Sequence, residues 1–143
     1  MKWTKLKTDI SLIQVKWMLT KLKISEEMSE YLDYLSNKLG LRRNIICRLA
    51  VGRSLAEVKS VKDFKPKNSS GFEFNRYTLT GESDSIFKAL INQHEGRKLT
   101  DDQYFPKFLR NHIERGVVLL YEEYEKINSP VDFLVGLVDF NKY

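Results

Sequence analysis

The sequence predicts a mainly α-helical domain with a short N-terminal strand and a long C-terminal helix, built to self-associate. Three observations carry this. Apolar residues recur at helical spacing, as in Met28, Leu32, Leu35 and Leu39. Cap residues and glycines bracket those runs, beginning with Ser25 before and Gly40 after the first of them. The following stretch, "GLRRNIICRLAVGRSL" (Gly40 to Leu55), is apolar on nearly all sides. Such a helix is central, or shared between its own core and a second copy.

Residues 1–19 form an N-terminal extension. Ile13, Val15, Trp17 and Leu19 alternate with polar or flexible residues as in a strand, while Ile10, Ile13 and Trp17 also fit helical spacing. So many large apolar groups imply a segment packed on the domain, not a disordered tail. The domain itself spans 20–143. "TKLKIS" (Thr20 to Ser25) alternates, with Lys21 and Lys23 on one face and Leu22 and Ile24 on the other. Ser25 then caps a helix whose first turn carries Glu26 and Glu27. A second helix starts near Arg42 or Arg43 and runs to about Ala56.

Residues 57–82 read as a loop and extended insertion. "EVKSVKDFKPKNSSG" has turn residues and four lysines, and "FEFNRYTLTG" looks extended and aromatic. Ser83 or Asp84 opens a third helix that ends at Gly96. Thr100 and Gln103 have capping-box spacing before a long helix, with Pro106 in its first turns. Ser129–Pro130 starts a short last helix.

Arginines sit inside the all-round apolar second helix. Cys47, Val51, Gly52 and Leu55 form the face expected at an oligomer interface; Arg48 and Arg53 are expected to snorkel or to pair with acids such as Glu57 or Glu30. Charge is unevenly spread. Residues 1–80 carry 16 Lys and Arg against 8 Asp and Glu, and residues 81–143 carry 8 against 11. A basic half suggests a face that meets a polyanion. The phosphate contacts expected are Lys21, Lys23, Arg42 and Arg43 on strand and turn, Lys59, Lys62, Lys65 and Lys67 in the loop, and Arg76, with Tyr77 beside it either stacking on a base or, with Phe72, Phe74 and Leu79, fixing the extended segment against the helices.

One cysteine rules out an internal disulfide and points to a cytoplasmic chain. Two histidines and that cysteine argue against a structural zinc site. No membrane span, cofactor loop or catalytic set is legible. Asp101–Asp102 reads as a capping pair, Glu122, Glu123 and Glu125 as a solvated run, His112 as a core histidine, His94 as a helix C-terminal partner, and Cys47 as an inert core thiol.

Strand, helix, glycine turn and helix, with a basic strand, resemble the ribbon-helix-helix pattern of DNA binders whose paired strands lie on DNA. A more specific resemblance joins "GLRRNIICRLAVGRSL", "EFNRYTLTGESDSIFKALI" and "HIERGVVLL", with His112, Ile113, Arg115 and Gly116 in the last. Over roughly residues 20–137 the chain resembles the DNA sulfur-modification protein family DndE. That resemblance implies a helical, self-associating protein that acts with other Dnd subunits to replace a non-bridging phosphate oxygen of DNA by sulfur. The sulfur comes from partner subunits. It also implies DNA binding, with preference for nicked duplex, and leaves a nicking activity unsettled. The expected function is therefore a DNA-binding, non-catalytic subunit with no cofactor of its own. The alternatives are a ribbon-helix-helix regulator or antitoxin, and a DNA nickase.

Overall fold

Alternation at the start of the domain is realised as a two-stranded ribbon. In the computed structural model, which describes residues 20–139, strand β1 (Lys21–Lys23) pairs antiparallel with β2 (Glu73–Asn75). The register sets Lys21 opposite Asn75, Leu22 opposite Phe74 and Lys23 opposite Glu73. Leu22 and Phe74 face the core, so both lysines face outward. The expectations for residues 1–19 lie outside the described residues. The strand's partner belongs to the same chain, whereas a ribbon-helix-helix dimer pairs it with a second copy.

Helix α1 (Glu26–Leu39) follows Ser25 and stops at Gly40, whose φ of 66° is the left-handed conformation that glycine adopts without strain. Helix α2 (Arg43–Leu55) then crosses the middle of the molecule. Residues 57–72 have no regular structure but are held at several points. Asn111 donates to the carbonyls of Val61 (3.0 Å) and Phe64 (3.2 Å), and the Phe72 N–H donates to Ser29 Oγ (2.8 Å).

The stretch expected to be extended is extended only over β2. Arg76–Leu79 forms a helical turn, α3, because the Asn75 side chain accepts from the Tyr77 N–H and caps it. A 3-10 turn (Gly81–Ser83) leads into α4 (Asp84–Glu95), ended by Gly96. The capping box forms: Thr100 and Gln103 cap the start of α5 (Asp101–Gln103). A π-helical segment (Tyr104–Leu109) absorbs Pro106, which has no N–H to give, and α6 (Arg110–Ile127) continues from it. Ser129 accepts from the Asp132 N–H and Pro130 opens α7 (Pro130–Leu137).

The core is a single cluster in which α2 and α6 are the closest partners. Ile46, Cys47, Ala50 and Val51 of α2 are buried, as are Ile113, Val117, Leu120 and Tyr124 of α6. Rings from α1 lock onto the other end of α6, Tyr31 stacking on Tyr121 at 4.2 Å and Tyr34 meeting Tyr121 and Tyr124 edge-on. The arginines of α2 are tied within the fold. Arg48 donates to the carbonyls of Leu79 (2.8 Å) and Thr78 (3.3 Å) at the end of α3. Arg53, with its side chain 11% exposed, binds Glu123 (2.6 Å) and Glu57 (2.9 Å). Glu123 is therefore not part of a merely solvated run.

Gly116 makes the α2–α6 approach possible. A Cβ there would lie 1.8 Å from the Ala50 carbonyl oxygen and 2.4 Å from its carbon. Both are backbone atoms that cannot step aside. Gly116→Ala should therefore cost about 3 kcal/mol or more in chemical denaturation, at the upper end for overpacked cores. Gly52→Ala on the open side of α2, where a Cβ meets nothing within 4 Å, should instead be stabilising by about 0.5–1 kcal/mol.

Candidate nucleic-acid interface

The outward side of the ribbon carries the first group of cations. Lys21 and Lys23 flank Glu73 on the neighbouring strand, at 3.4 and 3.8 Å, so two ammonium groups share one carboxylate. Both lysines, with Ser69, Pro106 and Arg110, line a surface notch of about 160 Å³. Arg110 is steadied by Glu114 (3.0 Å), by Ser69 Oγ (2.9 Å) and by the Asn68 carbonyl. Glu114 is itself buried and accepts from the Ser25 N–H at 3.0 Å.

The strip continues along the chain. Lys107, next to Pro106, stands 5.4 Å over the Phe108 ring, and Arg97 stands 5.3 Å from the same ring. Lys59 and Lys62 are exposed on the loop that Asn111 pins nearby, without a carboxylate partner among the described residues. Arg42 is exposed at the start of α2. Arg43 donates to Asp33 (Nε to Oδ1, 2.7 Å) and lies 3.9 Å over the Phe72 ring.

Other expected contacts are engaged elsewhere. Lys67 pairs with Glu27 at 2.6 Å, and Lys65 lines the same cleft, which also holds Glu114 and Glu122. Arg76 is placed inward. It binds Asp84 and Asp101 at 2.8 Å each and lies 4.6 Å over the Phe105 ring. Its charge ties α3 to α4 and α5. Tyr77 beside it is 79% exposed, an open ring at the end of the ribbon.

The face expected at an oligomer interface divides. Cys47 and Val51 are covered within the chain by Leu79, Phe87, Leu109 and Ile113. One core satisfies both apolar faces of α2, because α3, α4 and the π-helical segment cover the second. Leu55 is half-buried and Gly52 stays open, beside a groove of about 300 Å³ lined by Arg48, Leu49, Gly52, Arg53, Ala56 and Leu137.

Comparison with known proteins decides the lineage. The family model for DNA sulphur modification protein DndE matches residues 21–128. The chain belongs to the DndE family. The crystal structure of DndE from Escherichia coli B7A, described as involved in DNA phosphorothioation modification, aligns with a TM-score of 0.59 at 21% identity. The alignment covers 71% of this chain and 95% of that one, and shows a shared fold. No curated protein matches the chain.

In this DndE-family chain Cys47 and His112 are both buried. Burial pushes the Cys47 thiol well above its ordinary range, so it is not a thiolate nucleophile. His112 is fully buried on α6. Burial first, then Arg115 and His94, push its pKa down to about 3, so the ring is neutral. Its Nδ1 is 2.9 Å from Ser54 Oγ. Arg115 is held on Ser54 Oγ and on the carbonyls of Ser54 and Lys59. Sequence periodicity placed His112 on the core face but gave no sign that His94 and Glu95 meet it.

Burial acts to raise the Asp84 carboxyl, but hydrogen bonds from Arg76 and Thr80 outweigh it; Arg76 likewise lowers Asp101. Lowered carboxyl pKa values stabilise the fold fully above the unfolded value of 3.8, and that contribution fades as pH falls through the lower folded values. Arg76→Ala should thus cost roughly 2 kcal/mol near neutral pH. Denaturation curves for variant and parent should converge only as the pH drops below 3.8.

Proposed function

We propose that this chain is a DNA-binding, non-catalytic small subunit of a bacterial DNA phosphorothioation complex, working in the cytoplasm with other Dnd subunits. Family membership supplies the process. The observation that carries DNA binding is the strip running from Lys21, Lys23 and Arg110 around one notch to Lys107 and Arg97, with Lys59 and Lys62 on the adjoining loop. Lysines and arginines spread along a surface, with few acids between them, suit phosphates, which are read without regard to base. The notch is large enough to seat a phosphate group. Tyr77 adds an exposed ring for a base unstacked at a nick. Arg42 and Arg43 extend the basic surface at the start of α2, while Lys65, Lys67 and Arg76 lie off the strip.

A non-catalytic role fits the burial of Cys47 and His112, which offer no nucleophile or base to a phosphodiester lying on that strip. A ribbon-helix-helix regulator would need β1 to pair with a second copy, whereas here it pairs with β2. Self-association is assigned to the open side of α2, at Gly52, Leu55 and the adjoining groove. The exposed Val131, Val135 and Val138 of the last helix and its end offer further apolar area.

Lys21→Ala/Lys23→Ala and Lys59→Ala/Lys62→Ala double variants should each weaken binding to unrelated duplexes alike. Each lost phosphate contact should reduce the slope of log K against log salt by roughly 0.9. Unchanged binding by both variants across a salt series would move the DNA face elsewhere. Gly52→Glu, at an exposed position where a Cβ meets nothing within 4 Å, should leave the fold intact and yield monomers in sedimentation.

A further inference from the structure

His94, Glu95 and His112 meet under the loop that follows α2. Their ligand atoms all lie within 4.8 Å of one another. His94 Nδ1 is 3.4 Å from Glu95 Oε1, and His112 Nε2 is 4.0 Å from the same oxygen. The side chains are 10%, 4% and 0% exposed, respectively. His112 Nε2 is buried with no hydrogen-bond partner. A buried ring nitrogen left unmatched beside a carboxylate calls for an explanation.

Second partners already orient each ligand atom. His94 Nε2 lies 2.6 Å from the Glu57 carbonyl, which can only accept, so that nitrogen carries the proton. In the neutral ring Nδ1 then presents its lone pair toward Glu95. His112 Nδ1 faces Ser54 Oγ, which already accepts from Arg115 Nε (2.7 Å); a metal at Nε2 selects the tautomer in which Nδ1 donates to that oxygen as well and Nε2 presents its lone pair. The other oxygen of Glu95 is held by Ser60 Oγ. Two imidazole lone pairs and a carboxylate oxygen then lie within 4.8 Å of one another in the interior. Backing of a metal-binding histidine by a backbone carbonyl, as at His94, is a recurrent feature of metal sites.

We propose that His94 Nδ1, Glu95 Oε1 and His112 Nε2 bind a divalent transition-metal ion of the zinc class. An ion with bonds of about 2.0–2.1 Å and tetrahedral angles needs donors roughly 3.3–3.5 Å apart. One pair is already at that distance and the others need to close by roughly an ångström or less at each donor. Two nitrogens and one carboxylate suit zinc and its first-row neighbours; magnesium and calcium prefer all-oxygen shells. Water completes the shell. The nearby cation, Arg115, is held on oxygen atoms of Ser54 and Lys59. The ion braces the loop that carries Lys59 and Lys62, because Glu95 holds Ser60 and the Val61 N–H (3.4 Å) while His94 holds Glu57.

The test uses the full chain, tag-free and stripped with chelator, titrated with Zn²⁺ by calorimetry. The expected result is one ion per chain, a rise in melting temperature on adding Zn²⁺, and loss of both in His94→Gln and Glu95→Gln, each weakening affinity more than about tenfold. Circular dichroism checks that the variants are folded. If a variant fails to fold, histidine nitrogen shifts in the wild-type protein decide: Zn²⁺ should move His94 Nδ1 and His112 Nε2 and leave the proton on His94 Nε2. Absence of stoichiometric binding at micromolar Zn²⁺, or binding unaltered in folded variants, or unmoved nitrogen signals, would overturn the proposal.

Discussion

The contact between α2 and α6 at Gly116 governs the rest of the molecule. With no side chain at Gly116, α6 rests on the Ala50 backbone, and the two helices share one tightly filled seam. Everything near that seam inherits its spacing. Ser54, one turn beyond Ala50, receives Arg115 and touches His112. Arg53, on the flank of α2, reaches Glu123 on α6. A helix held this closely on one side still has a second apolar face. The chain covers it by turning "NRYTL" into a capped helical turn and by laying α4 and the π-helical segment across it. This arrangement resolves the arginines of α2: Arg48 ends on carbonyls of the helical turn that covers the second face, Arg53 on carboxylates of α6 and of the segment following α2, and Arg43 on Asp33 of α1.

The same geometry separates the cations buried in the fold from those on its surface. Arg48, Arg53, Arg76 and Arg115 are bound by the fold's own oxygens. Lys21, Lys23, Lys59, Lys62, Arg97 and Lys107 lie nearer the surface, on the ribbon, the pinned loop and the turns beside α6, with Lys21 and Lys23 sharing the half-exposed Glu73. Arginine occupies the inward places because its planar fork satisfies several acceptors at once, as at Arg76 with two carboxylates and Arg115 with three oxygens. Lysine, a hydrated point charge on a flexible stem, remains at the surface. The net basicity of the first 80 residues thus understates how selectively charge is sorted, since several of those cations are internal ties.

Helix positions were legible where local chemistry decides them. Gly40 and Gly96 are the left-handed stops that their place after apolar runs implied, and Thr100 with Gln103 makes the expected capping box. The ribbon was legible in "TKLKIS" but its partner strand was not, because pairing with Phe74 is a contact across more than fifty residues. "RYTL" was misread as extended because aromatic and β-branched residues favour strands, whereas the Asn75 cap and the two Arg76 carboxylates decide for a turn. Cys47 and Val51 were expected at an interface because a wheel shows two apolar faces but not the segments that will cover the second. Of the residues in the proposed basic strip, the outward placing of Lys21 and Lys23 was readable from alternation, whereas nothing local in the sequence sets Arg97, Lys107 and Arg110 near them. They lie in the acidic half of the sequence and join the strip only through folding. The meeting of His94 and Glu95 with His112 likewise depends on where α4 ends against α6.

The claim that most depends on this sorting is that DNA lies along the ribbon, the notch and the adjoining loop. Hydrogen exchange of the protein with and without a nicked duplex, read by mass spectrometry, tests it directly. Slowed exchange should concentrate in residues 20–24, 58–65, 68–71 and 97–107, with the start of α2 protected to a lesser degree. Protection confined to α7 or to the tyrosine face of α1, with the ribbon and loop unchanged, would contradict the account.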